Sequence, residues 1–148
     1  MPVLVVDTEG LGGFDEEENH DTKIFLLGML LSSLMVYNSL GPIDEGALNN
    51  ISLIINLSKS MRIQSKDADM NEEEFASYFP SLVWVLRDFM LRMEDREGNP
   101  ITPKQYLENS LSDQRGSSDN IQNKNRIRRL LRQFFQDRDC CLLVRPVE

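Results

Sequence analysis

The stretch SLVWVLRD, Ser81–Asp88, is an apolar and β-branched run that stops abruptly at two charged residues. A continuous run of this length and composition is typical of a β-strand that is buried on both faces of a parallel sheet. The strand ends with Arg87 and Asp88, whose side chains are too polar for the interior. This segment therefore predicts a buried strand with an acidic residue at its carboxyl end.

Outward from this segment, strands and helices alternate along the chain. Two further strands are predicted at Val3–Val6, which ends at Asp7, and in CCLLV, with its strand core at Cys141–Val144. Helical patterns lie around them, at Ile24–Tyr37, at about Asp44–Met61, at Thr102–Leu111 (a cap followed by proline) and at Asn120–Phe135. Alternation of this kind predicts an α/β fold, a parallel sheet with helices on both faces. Ligands of such sheets bind at the carboxyl ends of the strands, so Asp7 and Asp88 are expected on one rim.

The length, net charge and cysteine content of the chain limit the kinds of protein to which it can belong. The chain has 148 residues, enough for one domain, and a net charge of −8. An acidic surface argues against nucleic acid as the main partner, because phosphate backbones need a basic footprint. The longest apolar stretch, Ile24–Tyr37, is shorter than the roughly 20 residues that cross a bilayer, so no transmembrane segment is expected. The adjacent Cys140 and Cys141 are expected to be free thiols of a reducing compartment, which indicates a cytoplasmic protein.

The first candidate site follows the strand at Val3–Val6. Asp7 and Gly10 form a D-x-x-G pattern, in which the carboxylate suits water-mediated binding of Mg²⁺ and the glycine lets a backbone N–H approach a phosphate. The same pattern also fits an ordinary strand end with a loop that needs positive φ. The residues alone leave both interpretations open.

The second candidate site is the end of the strand at Ser81–Asp88. A carboxylate at Asp88 suits the N1 and N2 donors of guanine, a pair that adenine lacks. The alternative is an exposed surface pair, Arg87 and Asp88, with no ligand. The helix at Asn120–Phe135 also has a basic side, for which a solvated helix face is the favoured interpretation and a phosphate or RNA site the alternative.

Taken together, the motifs resemble the GTPase domain of the guanylate-binding proteins, large GTPases of the dynamin superfamily, and look closest to their plant and protist members. The matching stretches keep the family's order and cover nearly the whole chain: VVDTEGLGG, IFLLGMLLSSLMVYNSLGPIDEGAL, FPSLVWVLRDFML, ITPKQYLENSL and IRRLLRQFFQDRDCCLLVRPV. The resemblance implies a P-loop NTPase-like, doubly wound and mainly parallel sheet. It also implies GTP hydrolysis with Mg²⁺, GTP and GDP as ligands, and a nucleotide-dependent homodimer of the full-length protein.

The resemblance also implies roles for individual residues. Asp7 would hold Mg²⁺ through a water, Gly10 would donate its N–H to the γ-phosphate, and Glu9 would help to organise the attacking water. Arg87 and Asp88, in LRD, would recognise the guanine base in place of the N-K-x-D motif of small GTPases.

The chain departs from the family pattern in one respect that bears on activity. No G-x-x-x-x-G-K-[ST] loop occurs in it, and the arginine finger and the first switch of the family are missing as well. These parts are expected before Met1, and the loop that caps guanine after Glu148. The prediction is therefore that residues 1–148 are the C-terminal two-thirds of a GTPase domain, with an incomplete sheet, and that this chain alone is inactive.

Two alternatives to this function stay open. One is a degenerate, non-catalytic module that uses the same fold for protein–protein contacts, and an in-frame phosphate-binding loop upstream would argue against it. The other is an atlastin-like, membrane-shaping GTPase, against which DTEGLGG and ITPKQYLENSL weigh.

Overall fold

The protein alternates helices and parallel strands along the chain. A computed structural model describes residues 2–8, 18–63, 74, 76–95 and 97–146, without the side chains of residues 18–22 and 57–63. Its elements in chain order are α1 (Glu18–Leu31), β1 (Leu34–Leu40), α2 (Glu45–Ile63), β2 (Ser81–Arg87), α3 (Pro103–Ser110), α4 (Asp119–Phe134) and β3 (Arg138–Leu143). No helix in these ranges has both the length and the apolar character needed to cross a membrane.

The sheet has β2 at its centre, with β1 and β3 parallel to it on either side. Val36 pairs with Val83, which in turn pairs with Asp139 on β3. The α/β fold class with a parallel sheet, predicted from the alternation of strands and helices, is confirmed, and so is the strand at SLVWVLRD, which proves to be the central one.

The hydrophobic core lies on one face of this sheet. Inward positions of β2 are almost completely buried, with Trp84 and Leu86 at 0% exposure, and they pack with apolar residues of α2, α3 and α4. Trp84 also donates its indole N–H to Ser39 Oγ at 2.9 Å, so the one polar atom of this buried ring is satisfied. The described strand residues that belong to the core all occupy the alternating positions of this face: Met35, Tyr37, Leu82, Trp84, Leu86, Cys140 and Leu142.

The opposite face of the sheet differs from the prediction of helices on both sides. In the part of the chain that the structure describes, Val36 on β1 and Leu143 on β3 remain more than half exposed on that face. Burial along β2 alternates residue by residue, with Val83 and Val85 only partly buried. An unbroken apolar run therefore predicted the strand correctly but overstated how completely it is covered.

The predicted strand at Val3–Val6 is wrong. Residues 2–8 are irregular, and the side chains from Val3 to Val6 are 72% to 88% exposed. A strand needs a neighbour to satisfy its backbone N–H and C=O groups, and no described strand pairs with this segment. The apolar, β-branched composition favours a strand, but a strand forms only where its backbone can hydrogen-bond to a neighbouring strand.

The predicted helix at Ile24–Tyr37 is correct only in its first half. Helix α1 ends at Leu31, where the hydroxyl of Ser32 donates to the carbonyl of Met29 at 3.2 Å. The remaining residues, LMVYNSL, form β1 and pair with β2 in full register. An apolar run without turn residues does not distinguish a buried helix from a strand, and tertiary pairing decided the second half.

The other predicted helices are confirmed, and their ends have clear local causes. Asp44 accepts the N–H of Ala47 at 2.7 Å at the start of α2. The N-terminus of α3 is a capping box: Thr102 Oγ1 accepts from the Gln105 N–H at 3.2 Å, and Gln105 Oε1 accepts from the Thr102 N–H at 2.7 Å. Pro103 occupies the first helical position, as the sequence predicted.

Candidate functional site

The three strands end in one row at the carboxyl edge of the sheet. Leu40, Arg87 and Leu143 are partners in the strand register. Beyond this row, the N–H of Gly41 donates to the carbonyl of Arg87 at 2.7 Å, and the N–H of Asp88 donates to the carbonyl of Leu143 at 2.8 Å. The backbone at the end of β2 is therefore held by hydrogen bonds from both neighbouring strand ends.

Asp88 has an unusual backbone conformation. Its φ is 53°, and it is the only residue other than glycine with a positive φ in the described ranges. Aspartate tolerates this left-handed region better than most residues, for which the conformation costs about 1–2 kcal/mol. Backbone conformations of this kind occur preferentially at functional sites. Sequence reasoning identified Asp88 but not its conformation, since the residue type was the only signal.

The side chains of Arg87 and Asp88 are available to a ligand. Arg87 is exposed and Asp88 half-exposed. Neither side chain has a hydrogen-bond or ion-pair partner within the described residues. A carboxylate has two acceptor oxygens, so Asp88 at this edge is able to accept two hydrogen bonds from adjacent donors on a planar ring.

An aromatic pair lies directly behind Asp88. Phe89 is buried, and its ring meets that of Tyr106 on α3 edge-on, with centroids 5.2 Å apart and planes at 75°. The hydroxyl of Tyr106 accepts a hydrogen bond from the N–H of Ile43 at 3.3 Å. Burial raises the pKa of Tyr106 above its ordinary value. Sequence reasoning missed Tyr106, because no local pattern connects it with Ile43.

Asp7 does not stand at the end of a strand in the described sheet. Asp7 is exposed in the irregular segment 2–8, and the neighbouring Thr8 lies alongside Gly28 of α1. Because the strand at Val3–Val6 is absent, no strand end places Asp7 beside Asp88, and the common rim of the two aspartates stays a prediction. Glu9 and Gly10 lie outside the described residues, so their predicted positions are not tested.

The described carboxylates and thiols form no group of three or more that is able to hold a metal ion. An exposed single carboxylate such as Asp7 remains compatible with Mg²⁺, which keeps several of its own waters and needs only one or two protein carboxylates when phosphates supply the other ligands. A single accessible carboxylate at Asp7 therefore fits water-mediated binding of Mg²⁺.

The basic side of α4 is less solvated than the sequence predicted. Arg128 is buried, with its side chain only 6% exposed. It donates through Nε to the carbonyl of Ser110 at 3.0 Å and pairs with Glu45 at the start of α2. Hydrogen bonding to Arg128 is the main cause of a lowered Glu45 pKa. The interpretation as a solvated face was wrong for Arg128, whose partners come from elements distant in the sequence.

The rest of this basic side contacts acids or borders a groove. Arg129 and Arg132 both pair with Asp113, at 2.9 Å for Arg132. A groove of about 490 Å³ between α2 and α4 is lined in part by Arg126 and Arg129. None of its lining residues belongs to the carboxyl edge of the sheet, so the groove is separate from the site at Asp88.

Comparisons with known proteins extend over the whole chain. A family model described as "Guanylate-binding protein, N-terminal domain" matches residues 1–148. Human guanylate-binding protein 5 is 40% identical over 148 residues, which are 97% of this chain and 25% of that protein. Human guanylate-binding protein 1 is 40% identical over 151 residues, 98% of this chain and 25% of that protein. Mouse guanylate-binding protein 3 is 36% identical over 148 residues, 97% of this chain and 24% of that protein. The chain thus spans about a quarter of the length of these curated relatives.

Proposed function

The chain belongs to the guanylate-binding protein family, and we propose on that basis that residues 1–148 form the C-terminal two-thirds of a GTPase domain that binds and hydrolyses GTP. The observation that carries the proposal is Asp88. Its left-handed backbone is fixed by hydrogen bonding to Leu143, it lies at the carboxyl edge of a parallel sheet, and its carboxylate has no partner within the described residues. That edge is where ligands of open α/β sheets bind.

In this proposal, Asp88 reads the base. Its two carboxylate oxygens accept the N1–H and N2–H of guanine together, and adenine does not present the same pair of donors. Arg87 precedes it on the exposed end of β2 and contributes to the contacts with the base. A site built to satisfy two donors at once rejects a base that leaves either oxygen unpaired.

The phosphate end of the proposed site belongs to the segment after Val6. Asp7 would hold Mg²⁺ through a water, and Gly10 would donate its backbone N–H to the γ-phosphate. Glu9 would orient the attacking water, and in that role it is the catalytic residue of the proposal. When bound, Mg²⁺ supplies positive charge that neutralises the phosphate oxygens. The exposure of Asp7 supports this role only in that the carboxylate is accessible.

Three wider features complete the proposal. The protein acts in the cytoplasm, which the two free thiols Cys140 and Cys141 support, since thiols persist in reducing compartments. Its longer form pairs as a homodimer in response to nucleotide. The 148-residue chain alone does not turn over GTP, because it contains no lysine-bearing phosphate loop.

The proposal is tested by Asp88→Asn in the full-length protein that contains this chain. The change replaces one acceptor oxygen with a donor that opposes a guanine donor, whereas xanthine offers an oxygen at that position. Asparagine also tolerates the left-handed backbone, so the fold is retained. We expect weaker GTP binding and stronger xanthosine triphosphate binding, with a relative shift of about 1–3 kcal/mol per mispaired group.

The measurement is affinity for GTP, xanthosine triphosphate and ATP at matched Mg²⁺. Asp119→Asn, which removes an exposed acid in the first turn of α4, is the matched control and should leave all three affinities unchanged. If Asp88→Asn retains GTP affinity and gains nothing for xanthosine triphosphate, Asp88 does not read the base and the proposal is wrong.

A further inference from the structure

Tyr106 contacts two segments that meet at the candidate site. Its hydroxyl accepts the N–H of Ile43, in the turn that follows β1, and its ring packs against Phe89, the residue after Asp88. These contacts use different parts of one side chain, the oxygen for the turn and the ring for Phe89. Helix α3 is thereby joined through Tyr106 to both.

The turn that Tyr106 contacts is the one that holds the end of β2. Gly41, two residues before Ile43, donates its N–H to the carbonyl of Arg87 at 2.7 Å. Gly41 has a φ of 72°, so the turn depends on a backbone conformation that its sequence neighbours do not share. The hydrogen bond between Ile43 and Tyr106 restrains this turn. It thereby restrains the direction from which the Gly41 N–H approaches the carbonyl of Arg87.

We propose that Tyr106 is a positioning residue for guanine recognition, which holds the turn 41–43 and Phe89 so that the carboxylate of Asp88 keeps its direction toward the base. The inference rests on the proposed role of Asp88 as the base reader. Tyr106 does not touch the nucleotide. It acts through the backbone on either side of the residue that does.

The anchoring of α3 does not depend on the Tyr106 hydroxyl. Leu107 and Leu111 are buried at 0% and 1% exposure, and the capping box at Thr102 fixes the start of the helix. Tyr106→Phe therefore keeps the helix and the ring contact with Phe89, and it removes the hydroxyl that accepts the Ile43 N–H and also interacts with the Ser110 side chain within α3. Because the variant retains the core, its effect on nucleotide affinity reports the positioning of the site and not a failure to fold.

The experiment uses the full-length protein and compares Tyr106→Phe with two matched variants. Tyr78→Phe makes the same change on a side chain that is 65% exposed, and Tyr37→Phe makes it in the core, where the ring contacts Phe25 and Trp84. The readouts are the ratio of GTP to xanthosine triphosphate affinity and the amide hydrogen exchange of residues 41–43 and 88. A merely destabilising change lowers both affinities together, so only a change in the site itself alters the ratio.

For Tyr106→Phe, we expect the affinity ratio to fall about three- to tenfold, the factor that loss of one hydrogen bond gives, with faster amide exchange at Ile43 and Gly41. Both control variants should retain the wild-type ratio. An unchanged ratio, or unchanged exchange at Ile43, overturns the inference.

Asp88→Asn in the same assay separates the two proposals. If it inverts the base preference while Tyr106→Phe leaves the ratio at the wild-type value, the inference about Tyr106 fails and the proposed function stands. If Asp88→Asn leaves the preference unchanged, the proposed function fails and takes the inference with it.

Discussion

Asp88 combines a left-handed backbone with a side chain that has no partner among the described residues, and the two properties make separate demands on its identity. At a φ of 53°, a Cβ crowds the following carbonyl, which costs roughly 1–2 kcal/mol for an ordinary residue. We therefore expect Asp88→Gly to be more stable than Asp88→Ala by about 1 kcal/mol, measured as the free energy of unfolding in urea.

The neighbouring position provides the control for this prediction. Arg87 lies in the extended backbone of β2, where glycine is normally the more costly residue because of its entropy. The order should therefore reverse, with Arg87→Ala more stable than Arg87→Gly. If the alanine variant is more stable than the glycine variant at both positions, Asp88 does not hold the left-handed conformation in solution.

Between elements, the contact of Glu45 with Arg128 joins the start of α2 to α4. The Glu45 pKa is lowered in the folded protein, first by hydrogen bonding to Arg128, from an ordinary value of 4.5. A carboxylate with a lowered folded-state pKa adds stability that is fully present above its unfolded value and is lost as the pH falls through the folded one. Because the Glu45 side chain is 35% exposed, we expect a contribution of about 1–2 kcal/mol at neutral pH, between that of an exposed pair and that of a buried one.

The variant Glu45→Gln tests this contribution, since it removes the charge and keeps the shape. Its deficit in the free energy of unfolding should be largest above pH 4.5 and shrink below it. Glu97→Gln removes one carboxylate from an exposed turn and shows what the lost charge does without this contact. A Glu45→Gln deficit that stays constant across pH 4.5 would contradict the assignment.

At the scale of the whole molecule, the 148-residue chain carries the proposed base reader but no G-x-x-x-x-G-K-[ST] loop. That loop and its lysine supply much of the electrostatic stabilisation of a transferring phosphoryl group. We expect no phosphate release from GTP above background by this chain, assayed beside the full-length protein. Turnover near the scale of roughly 1–100 s⁻¹ from the chain alone would show that the site has been misread.

A feature of this structure was predictable from the sequence when the residues that cause it lie within one segment of the chain. The central strand and the capped start of α3 were predictable, because apolar composition at Ser81–Arg87 and the Thr102–Pro103 pair act within their own segments. The strand at Leu34–Leu40 was missed, since its apolar residues suit a helix equally until β2 pairs with them. The contacts of Arg128 and Tyr106 could not be predicted from the sequence, because their partners, Glu45 and Ile43, come from distant parts of the chain.

The parallel pairing of the sheet also sets how the chain must fold. In the chain, α2 separates β1 from β2, and α3 and α4 separate β2 from β3. Neither strand pair can therefore form outward from a tight turn. Each pairing needs a long loop to close first, and that entropy is lost before any strand contact compensates for it. Hydrogen bonds within a helix are local in the chain, whereas the carboxyl edge needs all three strand ends in one row. From this topology we expect the chain to fold more slowly than a helical bundle of its size, with the candidate site among the last parts to acquire native geometry.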